Sequence, residues 1–145
     1  MDCEQKIKTL QLLYAAALAD SVLRYGTFGV LDRVAEQKRT EQMKNGAALA
    51  GRFGVREPAD AFVKIADICG CADWQCEKTE TGLTARTSNC TLCAAARKMG
   101  TCSPCDIHCL TPLEAMVKAV APGARFETQG TLWQEDCCAV IVTMK

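Results

Sequence analysis

The apolar pattern of this chain changes its period at Gly70. Before Gly70 the apolar residues recur at three-and-four spacing, the signature of amphipathic helices. Over residues 4–25 the stripe is Ile7, Leu10, Tyr14, Ala17, Leu18, Ser21 and Tyr25, widened by Leu13 and Val22. Ala15, Ala16, Ala17 and Ala19 leave room for another helix to approach closely. A second helical region spans about 30–52, and its middle, Glu36 to Gln42, is wholly polar. That middle is either a solvated helix face, the favoured reading, or a break near Thr40. Glu57-Pro58 opens a third helix with proline at the first helical position, where its missing N–H costs nothing. Phe62, Ile65, Ala66 and Cys69 form its buried face, and Gly70 stops it.

After Gly70 alternation takes over. Residues 71–79 and 83–88 read as strands joined at Glu80-Thr81-Gly82, with Trp74 and Cys76 on one face. Residues 91–99 make a short helix, capped by Asn89 or Thr91 and ended by Gly100. Thr111-Pro112-Leu113-Glu114 combines a capping box with proline at the first position. The helix it opens buries Leu113, Met116, Val117 and Val120 and stops at Pro122-Gly123. Strands at about 125–133 and 137–144 close the chain. Both faces of the last are apolar, so it is expected to be central or covered on both sides. The expected fold is therefore α+β. N-terminal helices pack on a mostly antiparallel four-stranded sheet with two further helices. A length of 145 residues fits one domain over residues 1–145.

Charge and cysteine usage narrow the function. Seventeen basic residues balance seventeen acidic ones, with no basic run, so neither nucleic acid nor an anionic membrane is an expected partner. No apolar run approaches the length of a membrane span, and no leader is readable, which makes the cytoplasm the default compartment. Eleven cysteines are many, but an odd count without an export signal is a poor disulfide framework.

Five of those cysteines and the only histidine fall in one segment, Cys90-x2-Cys93-x8-Cys102-x2-Cys105-x2-His108-Cys109. The spacer of eight is short for a zinc ribbon and is filled by a helix, which carries the chain roughly 10 Å from Cys93. One metal reaches both Cys-x-x-Cys pairs only if the loop doubles back. Residues 100–109 must return along the helix, which brings Cys109, with Cys105 or His108, towards Cys90 and Cys93. Those last two sit at a helix N-terminus, where the unpaired N–H groups favour a thiolate. Three or four of Cys90, Cys93, Cys102, Cys105, His108 and Cys109 can bind zinc. An iron–sulfur cluster or a redox dithiol is a further reading, and unligated thiols with no cofactor are as well supported as zinc. His108 as a base for Cys105 or Cys109 is disfavoured, since sequence neighbours rarely have the geometry. Cys69, Cys71 and Cys76 read as core packing. Of Cys137 and Cys138, which point to opposite faces of a strand, at most one can join a cluster.

Asn89-Cys90-Thr91-Leu92-Cys93, Cys109 before a helix, and Phe126-x-x-x-Gly130-Thr131-Leu132 leading to Asp136-Cys137-Cys138 together resemble the L-2-amino-thiazoline-4-carboxylate hydrolase-like family. The resemblance covers about residues 85–145. It implies kinship with the 4-vinyl-reductase, hydrocarbon-binding domain. It also implies the wider fold of the ligand-binding domains in haem nitric-oxide sensors and Golgi-tethering subunits. Cys90, Cys109 and Cys138 (or Cys137) match the family's cysteines, whereas Cys93, Cys102 and Cys105 are additional. A domain of this kind would hold a small apolar or sulfur-containing ligand between helices and sheet, in a pocket lined by Tyr14, Phe62, Trp74, Met116 and Trp133. The alternative is a hydrolase opening a carbon–nitrogen bond of a small heterocycle, with Cys90 as nucleophile or as ligand of a water-activating metal. A third reading is a homodimer packed through the alanine-rich first helix.

Overall fold

The computed structural model describes residues 1–145. Four helices come first: α1 (Cys3–Thr27), α2 (Leu31–Lys44), α3 (Gly46–Phe53) and α4 (Pro58–Cys69). Strands β1 (Gln75–Lys78) and β2 (Gly82–Thr87), helix α5 (Thr91–Met99), a π-helical turn at Asp106–Leu110, helix α6 (Thr111–Val120) and strands β3 (Arg125–Gly130) and β4 (Cys138–Thr143) follow. The chain is α+β, as the change of period implies. No helix is long and apolar enough to cross a membrane.

The four strands form one antiparallel sheet in the order β1-β2-β4-β3. β4 is therefore central, as its apolar run suggested. Its register matches buried residue to buried residue, with Leu83 opposite Val142, Ala85 opposite Val140 and Thr87 opposite Cys138. A one-residue slip would turn this whole set to the other face, so burial itself fixes the register. The other face of β4, Ala139, Ile141 and Thr143, is only half-buried, so the sheet is fully covered on one side alone.

Phe62, Leu113, Met116, Val117, Val140 and Val142 fill the layer between that face and helices α4 and α6. Phe62 meets Trp74 edge-on at 5.2 Å and stacks on Phe126 at 6.1 Å. Full burial of a side chain of this size stabilises the fold by about 1.5–3 kcal/mol.

Several local expectations are corrected. The second helical region breaks at Asn45, beyond Thr40, giving two helices rather than one. The inward face of α1 is Ala15, Ala19 and Val22, rotated from the larger apolar stripe, because alanines let α5 come close. Ile7, Leu10 and Leu13 are left 55%, 65% and 61% exposed. β1 starts only at Gln75, so Trp74 lies in the preceding segment. Thr111 is no N-cap, since it continues the π-helical turn with helical angles. Pro112 explains that turn. It has no N–H for the carbonyl four residues back and its ring crowds that carbonyl, which a widened turn relieves.

Two glycines of α3 differ in surroundings. A Cβ on Gly46 would stand 2.6 Å from the Ala115 carbonyl oxygen of α6, while one on Gly51 would meet nothing within 4 Å. We expect Gly46→Ala to destabilise by about 1–3 kcal/mol through overpacking. Gly51→Ala, on the same helix, should stabilise by roughly 0.5–1 kcal/mol through backbone entropy. Urea unfolding of both variants checks the opposite signs.

Candidate functional site

Seven of the eleven cysteines line a single cavity of about 270 Å³: Cys69, Cys71, Cys90, Cys93, Cys105, Cys109 and Cys138. Its wall has 25 residues, 17 of them hydrophobic. Helices α1 to α4 supply one side, through residues such as Tyr14, Leu49 and Ile65. The start of α5, the π-helical turn and the end of the sheet supply the other.

Two backbone events draw the thiols together. Gly100, with φ of 70°, ends α5 and turns the chain back along it. Cys105 thereby reaches Cys93, with sulfurs 3.7 Å apart. The segment after α4 is stapled to the start of α5: Thr91 N–H donates to the Cys71 carbonyl at 2.9 Å, and Asp73 N–H donates to Asn89 Oδ1 at 3.1 Å. Cys71 is thus carried to the side of Cys90. Asn89 and Thr91 serve this staple, and the N-cap of α5 is Cys90 itself, whose Sγ accepts from Cys93 N–H at 3.4 Å.

The thiols fall into two electrostatic classes. Hydrogen bonds from the Cys93 thiol, then from Cys93 and Leu92 N–H, outweigh burial at Cys90 and hold its thiol down at about 6. A hydrogen bond from the same Cys93 thiol, with help from Ser103 and Thr131, holds Cys105 at about 7. Cys93 is pushed far up, because its proton is the one shared between two flanking sulfurs. Burial raises Cys71 to about 12 and Cys138 to about 11, and lifts Cys109 well above the ordinary thiol range. The cavity thus holds raised thiols around two lowered ones, Cys90 at the N-terminus of α5 and Cys105 beside Cys93.

His108 lies on the cavity wall but belongs to another network. Its Nδ1 is 2.9 Å from Lys38 Nζ and its Nε2 is 2.8 Å from Ser21 Oγ. With the lysine ammonium donating to Nδ1, the ring proton must sit on Nε2 and point to Ser21. The Ser21 hydroxyl in turn donates to the Leu18 carbonyl at 2.6 Å. Burial, and then the Lys38 charge, push the imidazole down to about 4, so the ring is neutral. Both nitrogens being engaged, His108 is neither a free base for a cysteine nor an open metal ligand.

Of the residues expected around a metal, Cys90, Cys93, Cys105 and Cys109 meet in the cavity, and the loop doubles back as the spacing required. Cys102 is exposed and faces Gly26. No three His, Cys, Asp or Glu side chains stand in an arrangement that holds a metal ion. The six therefore do not fit zinc or an iron–sulfur cluster in this arrangement. Of the expected pocket residues, Tyr14 and Trp74 line the cavity. Phe62 and Met116 do not, because both are wholly buried in the packed layer against the sheet. Trp133 lies outside it, under the Arg97 guanidinium at 4.6 Å.

Cys71 and Cys76 pack against the core, as expected. Cys69, at the end of α4, and Cys71, carried by the staple, also line the cavity. Cys138, not Cys137, is the one of its pair to join. Lys38, Gln42 and Arg52 were also missed. The one sequence signal for them was the spacing of four between Lys38 and Gln42, which sets both on one helix face. Gln42 Oε1 is buried without a hydrogen-bond partner, and Arg52 makes no ion pair.

Comparison with protein-family models, curated proteins and solved structures finds no match to the chain.

His108 ties stability to pH with a defined sign. Its pKa of about 4 in the fold lies below the unfolded value of about 6.5, so between these limits the unfolded chain binds more protons. Its contribution is complete above about pH 6.5 and is lost as pH falls towards about 4. Urea midpoints across that window should fall on acidification. In His108→Gln that fall should be shallower, although the variant starts from a lower midpoint at neutral pH.

Proposed function

We propose that the chain is a small-molecule-binding domain. Its ligand is compact, with an apolar or sulfur-containing body, a carboxylate and an N–H donor. The observation that carries this reading is the cavity. Apolar side chains and neutral thiols make most of its wall, and a few polar groups lie among them. Ligand sites have this composition, an apolar surface for affinity with a few placed polar groups for orientation. Arg52 and Lys38 are the cations on the wall and suit a carboxylate. Gln42 Oε1 is an acceptor in need of a donor, since a buried polar atom left unpaired is costly. The order of helices, ββ, αα and ββ is in keeping with the ligand-binding domains of nitric-oxide sensors and Golgi-tethering subunits implied by the sequence resemblance.

A second reading is favoured by Cys90 alone. A half-buried thiolate at a helix N-terminus, facing an apolar cavity, is a nucleophile. On a small C–N heterocycle of the 2-amino-thiazoline-4-carboxylate kind, Cys90 Sγ would add to the ring carbon as a proton passes to the ring nitrogen. The carbon–nitrogen bond then opens, and water displaces the cysteine.

Calorimetric titration with L-2-amino-thiazoline-4-carboxylate, and with 2-aminothiazoline lacking the carboxylate, tests the first reading. Saturable binding of the acid, weakened about tenfold (1.4 kcal/mol) in Arg52→Met or by removal of the carboxylate, is the expected result. Absence of binding by both compounds would sink it. For the second reading, Cys90→Ser keeps an oxygen cap on α5 and removes the low-pKa sulfur. Turnover of the acid should fall by at least about a hundredfold, in line with loss of a covalent nucleophile, while circular dichroism stays unchanged.

A further inference from the structure

Cys93 and Cys105 stand apart from the other cavity thiols. They are 5% and 7% exposed, yet both face the cavity. Their sulfurs, at 3.7 Å, are already in van der Waals contact. Closing to the disulfide distance of about 2.05 Å requires a relative movement of about 1.7 Å. The two ends differ in their surroundings. Cys93 is held on a helix, while Cys105 follows the Gly100–Pro104 return, whose residues belong to no helix or strand. Side-chain rotation at Cys93 and a small shift of the return share the movement.

From this geometry we propose that Cys93 and Cys105 form a redox pair, oxidised to a disulfide by a low-molecular-weight disulfide that enters the cavity. The chain would then catalyse, or sense, thiol–disulfide exchange with small sulfur compounds. This deepens the binding reading above, since it needs the cavity to admit a small molecule.

The exchange balances in two steps. Cys105 thiolate attacks one sulfur of R–S–S–R. A Cys105–S–S–R bond forms and one RS⁻ leaves, taking up the proton of the neighbouring Cys93 thiol. The Cys93 thiolate so produced attacks Cys105 Sγ, which forms the Cys93–Cys105 bond and expels the second RS⁻, protonated by water. The protein dithiol is oxidised by two electrons, and one disulfide is reduced to two thiols.

The proton arrangement supports this order. Cys93 carries the shared proton and flanks a sulfur that prefers the thiolate form, so attacker and resolving group are already distinguished. Cys90 competes for the same partner across its own Cys-x-x-Cys turn. However, its Sγ is engaged as the cap of α5, accepting Cys93 N–H at 3.4 Å, whereas Cys105 Sγ is in direct contact with Cys93 Sγ at 3.7 Å.

The test is anaerobic incubation of the reduced full chain with hydroxyethyl disulfide, followed by alkylation and peptide mapping by mass spectrometry. A bridge between the peptides carrying Cys93 and Cys105 is expected, formed also in Cys90→Ser. Cys105→Ser should instead lack the bridge and have Cys93 free. A bridge mapped to Cys90–Cys93 or elsewhere, a mixed disulfide that persists at Cys105 in the unmutated chain, or recovery of both thiols intact would overturn the proposal. If both thiols are recovered while 2-amino-thiazoline-4-carboxylate still binds, the redox inference alone has failed. If the bridge forms while the acid does not bind, the carboxylate-binding reading has failed instead.

Discussion

A helix with no buried residue of its own forms part of the cavity wall, and charged contacts fasten it there. α2 buries no residue fully, and its few apolar side chains, Leu31, Val34, Ala35 and Met43, are only half-buried. Its Lys38 reaches His108 on the π-helical turn, and its Arg39 pairs with Glu114 of α6 at 2.8 Å, a carboxylate also held by Lys118 at 2.6 Å. Glu114 is only 12% exposed in its side chain, so its charge needs these partners. Burial opposes ionisation of Glu114, and the two cations more than offset it. The polar run of α2 is a mostly exposed helix face, as expected, from which Lys38 and Gln42 turn inward. Its cations dock the helix and its Gln42 lines the cavity.

The chemistry of the cavity follows from how unevenly the fold treats its thiols. Burial alone would make all of them neutral, since a low-polarity environment disfavours the thiolate. One helix N-terminus breaks that uniformity. Cys90 caps α5, the free N–H groups face its sulfur, and the thiol of Cys93 one turn on donates to it. Interactions with Cys93 then lower the thiols of Cys90 and Cys105 while raising its own. That asymmetry underlies both the nucleophile and the dithiol readings, and it arises without any metal ligand set.

Several features were legible in the residues. The bounds of α5 at 91–99, the start of α4 at Pro58 and the central place of β4 came from caps, stops and alternation. The return of residues 100–109 along α5 also followed from spacing, because Gly100 and a new helix after Cys109 left the loop little choice.

Other features were not legible, and particular residues show why. Periodicity ranked Ile7, Leu10, Leu13 and Tyr14 as the inner face of α1, because hydrophobicity scales weight side-chain size. The fold chose Ala15, Ala19 and Val22, because the distance between α1 and α5 is set by the smallest residues at their contact. Met116 and Phe62 had the right character for a pocket, yet close packing against β2 and β4 left no space beside them. Residues a few positions apart were enough to set the helices before Gly70, the strands and helices after it, and the paired thiols at the start of α5, but not the break at Asn45 or the π-helical turn. Long-range packing alone decided which seven cysteines share a cavity, which thiols are lowered rather than raised, and that His108 is occupied. Each of those depends on burial and hydrogen bonds between residues distant in the chain, which no local pattern encodes.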